Sequence, residues 1–171
     1  PIPNYPFKNY GNLAFEDEAF RWGLATPGFS NGAAYGDLDN DGDLDLVVNN
    51  VNMPAFLYRN DLEKFHPDHH YIKIDLKGAG KNPFAVGAKI TAEGGGKKFY
   101  IEQMPMRGFE STVDHRPLIG LGGIRQLDRL TVSWPDGSIT VLDSVRADQT
   151  LVLNQNDGII VPARASTAPA T

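Results

Sequence analysis

Asp37-Leu38-Asp39-Asn40-Asp41-Gly42-Asp43-Leu44-Asp45 sets five aspartates on alternate positions, with a glycine at the sixth. Two unit charges ~5 Å apart repel by roughly 3 kcal/mol at an effective dielectric of ~20. A tight turn this acidic therefore asks for a cation. Ca2+ takes six to eight hard oxygen ligands, and D-x-D-x-D-G loops supply them from alternate side chains, a carbonyl and a later carboxylate. The predicted ligands are Asp37, Asp39, Asp41, Asp43 through its carbonyl, and Asp45. Gly42 permits the sharp turn that brings them together.

The flanks decide what kind of calcium loop this is. An EF-hand needs helices on both sides and a bidentate Glu at position 12, where this chain has Val48. Leu44-Asp45-Leu46-Val47-Val48 reads as a strand, and so does Gly32-Ala33-Ala34-Tyr35-Gly36 before the loop. The loop is thus expected to join two β-strands. Ala34-Tyr35-Gly36-Asp37 leading into D-x-D-x-D-G-x-x-D resembles the FG-GAP/VCBS repeat, the calcium-loop β-propeller blade also seen in integrin α-chains.

Composition agrees with an all-β chain. Eighteen Gly and twelve Pro in 171 residues favour many turns. A net charge of −5, much of it in the aspartate loop, excludes the clustered basic footprint of a nucleic-acid binder. No cysteine is present, so disulfides and thiol chemistry are excluded. No apolar run approaches the ~20 residues of a membrane span. The chain opens without a signal peptide, so an exported form is expected to be a mature or trimmed piece.

Residues 1–60 read as a propeller-blade fragment. Pro6-Phe7-Lys8-Asn9 is echoed by Leu57-Tyr58-Arg59-Asn60, each expected to end a strand, and a spacing of this order suits a blade. Asn9 through Phe15 follows the blade pattern of an asparagine, a glycine-containing turn and a phenylalanine, after which Phe20, Trp22 and Leu24 are expected to pack inside. A lone blade leaves apolar faces that stacked neighbours normally cover. Either residues 1–60 pack onto the second half with Phe7, Phe15, Phe20, Trp22 and Phe29 as filler, or two chains self-associate weakly, blade to blade.

Residues 61–69 read as a polar linker, and the three histidines His66, His69 and His70 within five positions at its end offer transition-metal ligands without an ordered spacing. From residue 70 the signal is period-two alternation: Ile72, Ile74 and Leu76; then Val86, Ala88, Ile90 and Ala92; then Leu130, Val132 and Trp134. Ile139 and Val141, then Leu151 and Leu153, complete the series. Gly94-Gly95-Gly96 and Pro135-Asp136-Gly137 are expected to be turns. Six or seven short strands predict an antiparallel β-sandwich or small barrel over 70–156, followed by a Pro-, Ala-, Ser- and Thr-rich tail over 157–171.

Asn82, Gly87-Ala88-Lys89-Ile90, Gly108-Phe109-Glu110-Ser111, Gly120-Leu121-Gly122 and Trp134-Pro135-Asp136-Gly137 recur in the order of the ASPIC/UnbV domain, which this half resembles. Leu118-Ile119 stand where that family commonly has His and Phe before the G-L-G. The resemblance implies the order of cartilage acidic protein-like proteins, in which the domain follows FG-GAP/VCBS repeats.

Catalytic signals are sparse. Ser111, Asp114 and His115 lie within five residues on a loop, with no nucleophile elbow around the serine. Glu102, Glu110 and Asp114 carry nothing that marks a glycosidase pair. The expectation is a non-enzymatic, calcium-binding module of the extracellular space or cell envelope with a protein or glycan ligand. The alternative is an accessory or catalytic domain of a carbohydrate-active or other hydrolase.

Overall fold

The computed structural model describes residues 1–108 and 110–160, and the chain divides into two compact units between Asp61 and Leu62. The predicted tail beyond residue 160 lies outside the described residues.

In the first unit β1 (Phe7–Gly11) and β2 (Ala14–Asp17) form an antiparallel hairpin, with Phe7 opposite Asp17. Asn12 and Leu13 both adopt positive φ at its tip, as a two-residue turn requires. A separate antiparallel sheet has the order β3 (Ser30–Gly36), β4 (Asp45–Asn50), β5 (Phe56–Tyr58). Residues 1–61 are thus a hairpin and a three-stranded meander, with neither sheet closed on itself. The two echoed stretches differ in role: Phe7 begins a strand, whereas Tyr58 ends one.

The expectation that Phe20 and Trp22 pack inside is corrected. Phe20 is 92% exposed and Trp22 47%. They follow β2 in a helix-like turn, where Trp22 N–H donates to the Glu18 carbonyl and Leu24 N–H to that of Ala19. That geometry points Phe20 outward. Phe7, Phe15 and Phe29 are exposed as well. The buried apolar residues of this unit are Ala19 and Val48, and Glu18, Asp43, Asp45 and Asn50 are buried beside them.

The second unit opens with a one-turn helix, α1 (Leu62–Phe65), inside the predicted linker. Eight strands follow: β6 (His70–Lys77), β7 (Lys89–Gly94), β8 (Lys97–Glu102), β9 (Leu118–Gly122), β10 (Gln126–Ser133), β11 (Ser138–Arg146), β12 (Gln149–Asn154) and β13 (Ile159–Ile160). One sheet has the order β13-β11-β10-β7-β8 and the other β12-β6-β9. A single buried cluster draws on both: Ile72, Ile74 and Leu76 from β6 meet Ile90 from β7 and Leu130 and Val132 from β10. Both sheets end in edges, so the small-barrel alternative is not realised. The antiparallel expectation also has an exception, because β6 and β12 pair in parallel, with Ile74 opposite Leu151. Parallel neighbours need a long crossover, and everything from β7 to β11 supplies it.

Gly95 and Gly96, both at positive φ, close the β7–β8 hairpin, with Gly94 opposite Lys97. That is the backbone a two-residue hairpin turn demands. Two predicted inward residues face out. Val86 precedes β7 in a loop where Asn82 brackets it, accepting from Val86 N–H at 2.9 Å and donating to its carbonyl at 2.9 Å. Val141 is 48% exposed because β11 runs in the opposite parity. The Trp134 indole donates to Thr140 Oγ1 at 2.9 Å, so Thr140 turns inward, and Leu142 two residues on packs against the core.

The turn after β10 is clamped by Asp136. Its Oδ1 accepts from Ser138 Oγ at 2.7 Å and from Ser138 N–H at 2.9 Å. Gly137 takes positive φ, and its N–H reaches the Trp134 carbonyl at 3.0 Å. The Ser138 hydroxyl and amide, with the Gln155 side chain, hold the Asp136 carboxyl below the usual carboxylate range.

Two predictions follow from this core and turn. Trp134→Ala should destabilise the second unit by ~3–5 kcal/mol, and Trp134→Phe, which keeps most of the packing but loses the Thr140 bond, by about 1 kcal/mol plus a small cavity term. Urea unfolding followed by circular dichroism measures both, and a Trp134→Phe variant as stable as the parent would remove the indole bond from the account. Because the folded Asp136 pKa is depressed, its contribution is fully present above the unfolded value of ~3.9 and is lost as pH falls through the lower folded value. Ser138→Ala should therefore shallow the acid limb of the stability–pH curve, and an unchanged limb would contradict this.

Candidate functional site: the aspartate turn

The aspartate loop joins β3 to β4, as the sequence predicts, with Gly36 opposite Asp45 across its neck. Asn40 and Gly42 take positive φ within it. For Gly42 this is the freedom that a side chain would restrict.

The five aspartates divide. Asp37, Asp39 and Asp41 each direct one carboxylate oxygen so that the three lie within 4.8 Å of one another. Asp37 and Asp41 are half-buried and Asp39 is exposed. Asp41 Oδ1 also accepts from Asp43 N–H at 3.2 Å. Asp43 is buried, and its Oδ1, like that of Asp37, is shielded from solvent. Asp45, 3% exposed, ties the loop shut: Oδ2 accepts from Leu38 N–H at 3.0 Å and Oδ1 from Asn60 N–H at 2.9 Å. Each carboxylate oxygen has two lone-pair positions, so both Asp45 oxygens keep one.

Sequence reasoning missed two members of the site. Asn60 grips the loop through its N–H and through its side chain, which reaches the Leu44 carbonyl at 3.4 Å. Arg59 lies 3.7 Å from Asp39 Oδ2 and pairs with Asp61. The signal was the Tyr58-Arg59-Asn60 stretch, which resembled a repeat but also carries these contacts.

Hard carboxylate oxygens converging on a strand-to-strand turn suit a hard divalent cation, and Ca2+ fits this donor set. Asp37, Asp39 and Asp41 would hold it, with Asp43 and Asp45 beside them. A bound cation would supply the positive charge that three converging carboxylates lack.

The Ser111, Asp114 and His115 loop assembles differently. Arg116 takes the Asp114 carboxylate in a forked pair and holds its pKa below the usual range. The His115 ring packs on Phe84, with centroids 4.2 Å apart. Buried Gln103 joins the two loops, its Nε2 donating to the Phe84 carbonyl at 3.0 Å and to that of His115. Among the described residues, no helix is long and apolar enough to cross a membrane.

Two substitutions separate the loop's clamp from its charge cluster. Asp45→Ala should destabilise the first unit even in EDTA, by roughly 1.5–3 kcal/mol for each charged hydrogen bond lost. Asp39→Asn should leave the EDTA melting temperature unchanged or slightly raised, because it relieves repulsion. A similar response of the two variants in EDTA would remove the distinction.

No curated protein matches the chain. Residues 78–160 match the family model described as ASPIC and UnbV. The matched stretch includes Asn82, the Gly120-Leu121-Gly122 end of β9 and the Trp134–Gly137 turn, and begins just after β6. The match therefore falls within the second unit and spans β7 to β13.

Proposed function

We propose that the chain is a calcium-binding, non-catalytic module in which the Asp37–Asp45 turn is the metal site. The observation that carries this reading is the convergence of Asp37, Asp39 and Asp41 within 4.8 Å on the β3–β4 turn. Repulsion among such groups makes the turn costly without a cation and gives Ca2+ a differential affinity for the folded unit. The strand–loop–strand setting supports an FG-GAP/VCBS-type blade over residues 1–60, an element of a larger propeller. Extracellular calcium modules bind weakly, at ~10⁻⁴–10⁻³ M, and work where calcium is millimolar. The reading therefore places the protein outside the cytoplasm or in the cell envelope, presenting its β surfaces to a protein or glycan.

Thermal unfolding with and without calcium tests it. At ~1 mM Ca2+ and a Kd of ~0.1 mM, linkage adds about 1.4 kcal/mol to the first unit. The gain should vanish in EDTA and in Asp41→Ala. Melting that is indifferent to calcium in the unsubstituted chain would defeat the proposal.

A further inference from the structure

We propose that His66, Asp68 and His69 form a second metal site, specific for a borderline transition-metal dication of the zinc type and independent of the aspartate turn. The segment between α1 and β6 folds in a way that sequence spacing does not reveal. His66 N–H donates to the Leu62 carbonyl at 2.7 Å and so closes the one-turn helix. His69 N–H then donates back to the His66 carbonyl at 2.9 Å. Pro67 and Asp68 occupy the centre of the resulting turn, where proline presets φ at its favoured position. The turn brings the His66 and His69 rings face to face, with centroids 4.6 Å apart and planes 10° from parallel.

On this turn a ring nitrogen of each histidine and a carboxylate oxygen of Asp68 lie within 4.8 Å of one another. All three residues are exposed. Among the described residues the two rings contact each other, and neither ring nor the Asp68 carboxylate is engaged in an ion pair. His70 belongs to a different environment. Its Nδ1 is 2.7 Å from Asp148 Oδ2, which leaves it committed away from the cluster.

The donor set decides the metal. Two imidazole nitrogens with one carboxylate suit zinc, copper or nickel, whereas calcium and magnesium want oxygen throughout. Zinc bonds of ~2.0–2.2 Å place its ligand atoms about 3.4 Å apart in a tetrahedron. The stacked rings hold their lone pairs in parallel planes, so they must turn out of contact to share one metal, and exposure leaves all three side chains room to turn. Three protein ligands leave a fourth position for water or for a donor from another molecule, the coordination of an open site rather than a closed structural one.

The test titrates Zn2+ alone into the full chain by calorimetry, with calcium in excess to occupy the aspartate turn. One equivalent of Zn2+ should bind. Outer-shell losses alone weaken metal sites by about 10–100-fold, so His66→Ala and His69→Ala should each weaken binding by at least about a hundredfold, and Asp68→Asn by about tenfold or more. Asp41→Ala and His70→Gln should leave it unchanged. Co2+ should give the absorption of an ordered nitrogen–oxygen sphere in the parent chain and lose it in His69→Ala. Circular dichroism should match the parent throughout, since the three residues are exposed. Zn2+ binding that survives both histidine substitutions, binding lost in Asp41→Ala, or no binding by the parent would each overturn the proposal.

Discussion

The second unit depends on burial of one face of β6 against the facing sheet. Ile72, Ile74 and Leu76 are wholly inaccessible and stand against Ile90, Leu130 and Val132. Fully burying an aliphatic side chain of this size contributes about 1.5–3 kcal/mol, so this stripe is the largest contiguous part of the burial that, with the rest of the core, offsets the entropy of ordering eight strands. Other features of the unit are arranged around it. Leu127 and Val145 extend it toward one end, and Trp134 closes it beside the Asp136 turn. Glycines at positive φ turn the chain back where hairpins must reverse.

The first unit is held by different physics. Its apolar side chains are largely exposed, and its buried positions include Glu18, Asp43, Asp45 and Asn50. Asn50 accepts from Ser30 Oγ at 2.9 Å and donates to the Pro54 carbonyl at 2.9 Å, joining β3, β4 and the turn before β5. Asp45 does the same for the loop and for Asn60. Buried polar groups stabilise only when satisfied. The unit thus relies on a few directional bonds where its neighbour relies on area. The aspartate turn divides its labour accordingly: Asp45 holds the shape, and Asp37, Asp39 and Asp41 provide the charge.

Much of this was legible in the sequence. The alternation of β6, β7 and β10 gave their strands and their buried faces, because period two is a property of the strand itself. The D-x-D-x-D-G spacing marked the turn and the convergence of its carboxylates for the same reason: local chemistry fixes local geometry. What failed was non-local. The parity of β11 is set by its register with β10, which puts Thr140 opposite Val132 and Leu142 opposite Leu130, so Val141 could not be placed from its own neighbours. Phe20 and Trp22 looked like core, but a helix-like turn after β2 aims them outward. The roles of Arg59 and Asn60 depend on a stretch fifteen or more positions along the chain returning to the loop, and β13 on pairing with β11, which no local pattern reports.

The parallel pairing of β6 with β12 has a kinetic consequence. The first strand of the second unit sits between β9 and β12, and its β12 neighbour is synthesised only after β7 to β11. Until then one edge of β6, whose Ile72, Ile74 and Leu76 face is wholly buried in the finished core, waits unpaired. Contacts so distant in sequence are made late and slowly, since their loop-closure entropy precedes any gain. The hairpins β7–β8 and β10–β11 are local and can form early, but they cannot finish the core. Synthesis of the domain therefore passes through a stage in which an apolar strand edge is open to other chains, and the speed with which β12 docks decides between folding and aggregation.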